Sequence, residues 1–114
     1  MRARDRNAAI EDALRAGAAI ASFVEGRTMA EYESDLLLSS AVERQFEIVG
    51  EAVSRALKVE PELEGRLPEA RKAIGFRNVI AHDYDNVAVE LVWSTVHESL
   101  PDLMAKLRVL LNEE

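Results

Sequence analysis

Residues 38–57 read LSSAVERQFEIVGEAVSRAL, and this stretch decides the fold class. Its apolar side chains recur at spacings of three and four residues, which is the periodicity of an amphipathic helix. One polar side chain, Gln45, lies in the apolar row, and we expect it to have a buried hydrogen-bond partner. Gly50 lies in the middle of the helix, where glycine costs about 1 kcal/mol relative to alanine. We therefore expect another helix to approach closely at Gly50. The predicted buried stripe consists of Leu38, Ala41, Val42, Gln45, Val49, Ala52, Val53 and Ala56.

The N-terminal part of the chain predicts one long helix and a short helical turn before this central helix. The first helix should cover 5–25, with an apolar stripe that is thin at Gly17, where a neighbouring helix can approach. Gly26 then ends it. Thr28 begins the capping-box sequence Thr-Met-Ala-Glu, and Ser34 is a second candidate N-cap.

The C-terminal part predicts two more helices. Pro68 suits the first turn of a third helix that runs to residue 81 or 82, and 83–86 reads as a connection. A fourth helix should begin near Val87 and bend or restart near Pro101, with Ser99 as a candidate cap, before it ends near 111. The sequence therefore predicts an all-α fold, a small four-helix bundle that forms a single domain over 1–114.

Composition and charge limit the classes of function. The 114 residues include no cysteine, which excludes disulfides, thiolate metal sites and a cysteine nucleophile. No apolar run approaches the roughly 18–20 residues of a membrane span, and the N-terminal stretch lacks the apolar segment of a secretory signal, so we expect a cytoplasmic protein. The net charge is −7, and an acidic surface repels nucleic acid. Nucleic-acid binding would therefore need a local basic patch, and 65–82 offers four basic side chains against one acidic one.

The third helix should present two different faces. Residues 77–84 read RNVIAHDY. Phe76 and Ile80 belong to an apolar side, whereas Arg77, Asn78 and His82 fall on an adjacent polar arc. An imidazole can exchange protons with an RNA 2′-hydroxyl or a leaving 5′-oxygen, and a guanidinium can bind the phosphate and stabilise developing charge. The alternative is structural, with His82 at the negative end of the helix dipole and Arg77 in a salt bridge. Both readings remain open at this level.

The motif R-N-x-x-x-H-x-Y, present as Arg77, Asn78, His82 and Tyr84, resembles the signature of HEPN-domain toxins, and most of all the HepT-like ones. Segments 23–26, 41–44, 48–52, 92–93 and 100–103 also resemble that family. The resemblance implies a metal-independent endoribonuclease, the toxin of a type VII-like toxin–antitoxin pair. Arg77 and His82 would be catalytic, Asn78 would support them, and two motifs would face each other across a homodimer.

The same resemblance implies partners. Tyr84 would be the residue that a minimal nucleotidyltransferase antitoxin of the MntA type adenylylates to silence the toxin. RNA would be the substrate, and no cofactor is implied. A second hypothesis is a non-catalytic helical subunit that docks a nucleotidyltransferase.

The remaining polar residues carry weaker hypotheses. Glu43, Glu47 and Glu51 share one helix face, which could hold a divalent ion but more simply forms a solvated surface. His97 lies in no metal-ligand spacing, so we expect no metal site. Leu36, Leu37, Phe46 and Trp93 cannot all face one small core, and we expect two-fold pairing to bury the excess.

Overall fold

The computed structural model describes residues 2–83 and 88–113, with the side chains of 81–83 left out of the description. Within these ranges most of the backbone is helical and none of it forms a strand, so the all-α prediction is confirmed. No helix in this part of the chain is long and apolar enough to cross a membrane. The elements are α1 (Arg2–Val24), α2 (Met29–Ser34), α3 (Leu36–Val59), a 3₁₀ turn (Pro61–Gly65), α4 (Ala70–Asp83), α5 (Val89–Ser94), a π-helical segment (Thr95–Ser99) and α6 (Leu100–Leu111).

The long helix α3 is the centre of the bundle. It packs against α1 on one side and against α4 on another, while α6 closes the bundle against α1. The core is made mainly of aliphatic side chains from these helices, together with side chains from α5 and from the segment between α3 and α4. The largest fully buried ones besides Tyr32 are Ile10, Ile20, Val42, Val49, Val53, Leu63, Leu67, Val92, Leu107 and Leu110.

The turn between α1 and α2 forms as the sequence predicts. Gly26 has a φ of 72°, in the left-handed region, and ends the first helix. Thr28 forms the predicted capping box, because its hydroxyl accepts from the Glu31 amide at 3.1 Å and its own amide donates to the Glu31 carboxylate at 2.8 Å. The cap of α3 is Asp35 and not Ser34, since the Asp35 carboxylate accepts from the Leu38 amide at 3.1 Å.

The buried stripe of α3 differs from the prediction at Ala41 and Gln45, which are only half-buried, and at Phe46. Gln45 is only half-buried, so the prediction that it is buried and needs a buried hydrogen-bond partner is wrong. Phe46 is buried instead and packs edge-to-face on Phe76 of α4, with ring centroids 4.9 Å apart. The reason is that α4 docks beside the predicted stripe and extends it toward Phe46. Leu36 and Leu37 do remain exposed, at 80% and 82%.

The last helical stretch changes to a π-helix before Pro101 but remains continuous. The π-helical segment Thr95–Ser99 ends two residues before Pro101, and the Leu100 amide donates to the Thr95 carbonyl. Pro101 has no N–H for an ordinary helical bond, and a wider turn absorbs that loss. Ser99 is therefore helical and does not act as a cap; its hydroxyl accepts from Lys72 at 2.8 Å.

Candidate functional site

Gly50 brings α4 against α3, as the sequence predicts. A Cβ atom placed on Gly50 would overlap the Cβ of Arg77 and lie 3.0 Å from the Ala73 carbonyl oxygen. Only a glycine leaves room for the two backbones to come this close. This contact places the start of the Arg77 side chain directly over α3.

Two acceptors hold the Arg77 guanidinium. Its Nη2 donates to Glu51 Oε2 at 2.7 Å, and its Nη1 donates to Asn78 Oδ1 at 2.7 Å. Glu51 directly follows Gly50, so the close approach and the ion pair are set by neighbouring residues. The Arg77 side chain is still 35% exposed. The guanidinium is thus oriented by the protein and open to a ligand.

Arg77 lines a groove of about 470 Å³ between α1, α3 and α4. The groove is rich in charge, with four arginines and three carboxylates: Arg15, Arg44, Arg55, Arg77, Asp12, Glu47 and Glu51. Asp12 accepts from Arg55 at 2.6 Å and from Arg15 at 3.1 Å. The hydrogen bond from Arg55 is the main cause that lowers the pKa of Asp12.

The basic patch predicted over 65–82 is largely bonded within the protein. Arg71 donates to Glu64 at 2.8 Å, and Arg66 donates to Glu113 at 2.9 Å. These bonds lower the pKa of Glu64 and of Glu113. Much of the positive charge counted in the sequence is therefore compensated, which leaves less local field than the count suggests.

The structure brings together two of the four residues of the motif. Arg77 and Asn78 are in contact on α4. His82 lies on the same helix by its backbone, but its side chain is outside the described residues, and Tyr84 is outside them altogether. The pairing of His82 with Arg77 and the accessibility of Tyr84 therefore stay predictions.

The carboxylates on the acidic face of α3 differ in their surroundings. In the described part of the chain, no three His, Asp or Glu side chains are grouped to hold a metal ion. Burial, together with the nearby charge of Glu47, raises the pKa of Glu43. Glu51 is bound to Arg77. His97 is exposed and is held by the Trp93 carbonyl at 2.8 Å.

Sequence reasoning missed Glu51 as the partner of Arg77 and Arg44 as a residue of the groove. Gly50 was a usable signal for Glu51, because the residue after a close helix crossing is well placed to reach across it. Arg44 shares the face of α3 with Glu47 and Glu51 at helical spacing, which could have placed it in the same groove.

Comparison with known proteins identifies similar sequences. The family described as "Ribonuclease HepT-like" matches residues 13–110. "Putative RNase TTE0752" of Caldanaerobacter subterraneus subsp. tengcongensis is 29% identical over 91 residues, which cover 80% of each chain. "Putative RNase MJ1380" of Methanocaldococcus jannaschii is 24% identical over 112 residues, which cover 96% of this chain and 100% of that protein. No solved structure gives a significant match.

Proposed function

Since this chain belongs to the HepT-like ribonuclease family, we propose that it is an endoribonuclease that cleaves RNA without a metal ion. The observation that carries the proposal is Arg77, which is held over α3 by Glu51 and Asn78 and remains open to the groove. A guanidinium in this state can bind a phosphate and stabilise the charge that develops during its cleavage.

The reaction uses the RNA itself as nucleophile. The 2′-oxygen attacks the adjacent phosphorus, the bond from phosphorus to the 5′-oxygen breaks, and the products are a 2′,3′-cyclic phosphate and a 5′-hydroxyl. One group accepts the 2′-hydroxyl proton and another donates a proton to the leaving 5′-oxygen. His82 is the proposed proton-transfer group, because an imidazole titrates near neutral pH. DNA lacks the 2′-hydroxyl and is not a substrate for this reaction.

A homodimer would complete the site. One imidazole cannot act as base and acid at the same moment, whereas two motifs facing each other across a two-fold axis supply one of each. Leu36 and Leu37 are the apolar side chains most exposed in the described part of the chain, which supports a surface available for pairing. We take the homodimer as the active form.

Silencing is proposed to run through Tyr84. An MntA-like nucleotidyltransferase would transfer AMP from ATP to the tyrosine oxygen and release pyrophosphate. The added phosphate, two residues after His82, would repel an RNA phosphate and block access to the site. The protein would then be the toxin of a type VII-like toxin–antitoxin pair.

One observation favours the second candidate, a non-catalytic subunit that docks a nucleotidyltransferase. Arg66 and Arg71 are bonded to carboxylates of the same chain, so the positive field expected of a free ribonuclease is weak. The two candidates differ in whether the isolated protein cuts RNA.

The deciding experiment compares cleavage of single-stranded RNA by wild type and three variants in excess chelator. Arg77→Ala and His82→Ala should each lose about 10²–10⁴-fold in rate. Arg71→Ala is the matched control, because it removes an arginine from the same helix that is also ion-paired, to Glu64, but does not line the groove. All variants should keep the wild-type melting temperature. Cleavage that chelator abolishes contradicts the metal-free reaction, and folded wild-type protein that cuts no RNA supports the docking subunit.

A further inference from the structure

The arginines of the groove are not equivalent. Arg55 and Arg15 are bonded to Asp12, and Arg77 is bonded to Glu51. Arg44 is exposed, and among the described residues no carboxylate forms an ion pair with it. Arg44 is thus the groove cation that a ligand can bind without first displacing a described carboxylate.

Arg44 is also well placed relative to Arg77. It lies on α3 two helical turns before Glu51, on the same face, which is a distance of about 10 Å along the helix. At about 3.4 Å per stacked nucleotide, this corresponds to about three nucleotides of one strand. A strand whose phosphate lies on Arg77 can therefore place a phosphate about three nucleotides away on Arg44.

From this arrangement we propose that the groove binds the sugar–phosphate backbone of single-stranded RNA and that Arg44 binds a phosphate about three nucleotides from the one that is cut. The inference rests on the proposed function for the identity of the ligand. Arg44 is a substrate-binding residue here and takes no part in proton transfer.

The carboxylates of the groove favour a nucleic acid strand over an acidic peptide. Glu47 lines the groove beside the arginines. An RNA strand presents hydrogen-bond donors as well as phosphates, because its 2′-hydroxyls and base amino groups can donate to a carboxylate. The side chains of an acidic peptide accept only, so they could bind the arginines but could not donate to the carboxylates.

The test measures binding and does not depend on cleavage. A fluorescein-labelled oligouridylate and the matching oligodeoxyuridylate are titrated with protein by fluorescence anisotropy at several salt concentrations. Arg44→Ala should raise the Kd for both strands about tenfold, because one charge-assisted contact to phosphate is lost. The slope of log K against log salt should become shallower by about 0.7, the value for one phosphate of a single strand.

Two further variants separate a phosphate contact from a general charge effect. Arg108→Ala removes an exposed arginine of α6 that lies outside the groove, and it should leave the Kd close to wild type. Arg44→Lys keeps the charge and should recover most of the salt slope. An equal loss of affinity in Arg44→Ala and Arg108→Ala overturns the proposal.

Other results also overturn the proposal. One is that wild-type protein binds neither strand. Another is that Arg44→Ala binds both strands like wild type; if this variant also dissociates a dimer, Arg44 serves subunit contact and not RNA binding. Failure of the proposed function looks different, since wild type would then bind both strands in an Arg44-dependent way and cut neither. Where wild type does cut RNA, Arg44→Ala should raise KM and leave kcat unchanged.

Discussion

Replacing Gly50 by alanine should damage activity far more than stability. The new Cβ would overlap the Cβ of Arg77 and press on the Ala73 carbonyl oxygen, which is backbone and cannot rotate away. Since carbon atoms normally stay about 3.5–4.0 Å apart, α4 must move from α3 by on the order of 1 Å. A shift of that size at a catalytic group costs about 10²-fold in rate, which is the loss we expect in kcat/KM.

The stability effect is the difference of two terms. Overpacking costs about 1–3 kcal/mol, and alanine regains about 1 kcal/mol of helix propensity, so the net loss should be about 0–2 kcal/mol. For a domain of this size, this corresponds to a fall in melting temperature of up to about 8 °C. Thermal unfolding and RNA cleavage of the same preparation measure both quantities.

Two other glycines serve as controls. Gly17→Ala meets the thioether of Met104, a flexible side chain that can move, so it should cost little stability and no activity. Gly75→Ala is exposed on α4 with open space around it, and it should stabilise the fold by up to about 1 kcal/mol. The reasoning is refuted if Gly50→Ala cuts RNA at the wild-type rate, or if Gly17→Ala loses as much activity as Gly50→Ala.

Three other predictions concern acid stability, assembly and silencing. The pKa of Asp12 is lowered, foremost by Arg55, so the ionised carboxylate stabilises the native state above its ordinary titration range and this contribution fades as the pH falls. Asp12→Asn should therefore reduce the loss of melting temperature between neutral and acidic pH, and an unchanged loss contradicts the assignment. Leu37→Lys should shift light scattering toward the 12.7 kDa monomer, and a variant that stays dimeric contradicts pairing through this surface. Tyr84→Phe should remain toxic beside an active nucleotidyltransferase antitoxin, and an added AMP mass on this variant would place the modification elsewhere.

The helices and the close approaches could be predicted from the sequence because each depends on local chemistry. The capping box at Thr28 and the left-handed Gly26 use neighbouring residues alone. The thin positions at Gly17 and Gly50 also indicated where another helix packs, since a missing side chain in an apolar stripe leaves a gap that a neighbour fills. Met104 and Arg77 fill these two gaps.

The errors arose where two distant segments meet. Whether Gln45 or Phe46 is buried depends on which side of α3 the helix α4 packs against. The periodicity of α3 alone does not predict that side. A helix can accommodate the missing N–H of Pro101 either by ending and starting again or by forming a π turn. The contact between Ser99 and Lys72 forms with the π turn, and the sequence near Pro101 does not show this contact. Glu51 and Arg77 are 26 residues apart, so their ion pair depends on the point where α3 and α4 cross.

The ion pair of Arg77 is the feature that the structural reading of the motif predicts, yet it contributes little to docking α4. A pair this exposed is worth up to about 1 kcal/mol, whereas burying a side chain such as Phe76 or Ile80 contributes about 1.5–3 kcal/mol. Gly50 lowers the helix propensity of α3 by about 1 kcal/mol, so the glycine and the ion pair nearly cancel. An alanine at Gly50, with α4 displaced by on the order of 1 Å, would keep α4 docked at a net cost of about 0–2 kcal/mol. The glycine does, however, determine where the half-exposed Arg77 guanidinium lies in the charged groove. Binding of a phosphate would explain why that position matters, whereas the stability of the fold does not explain it.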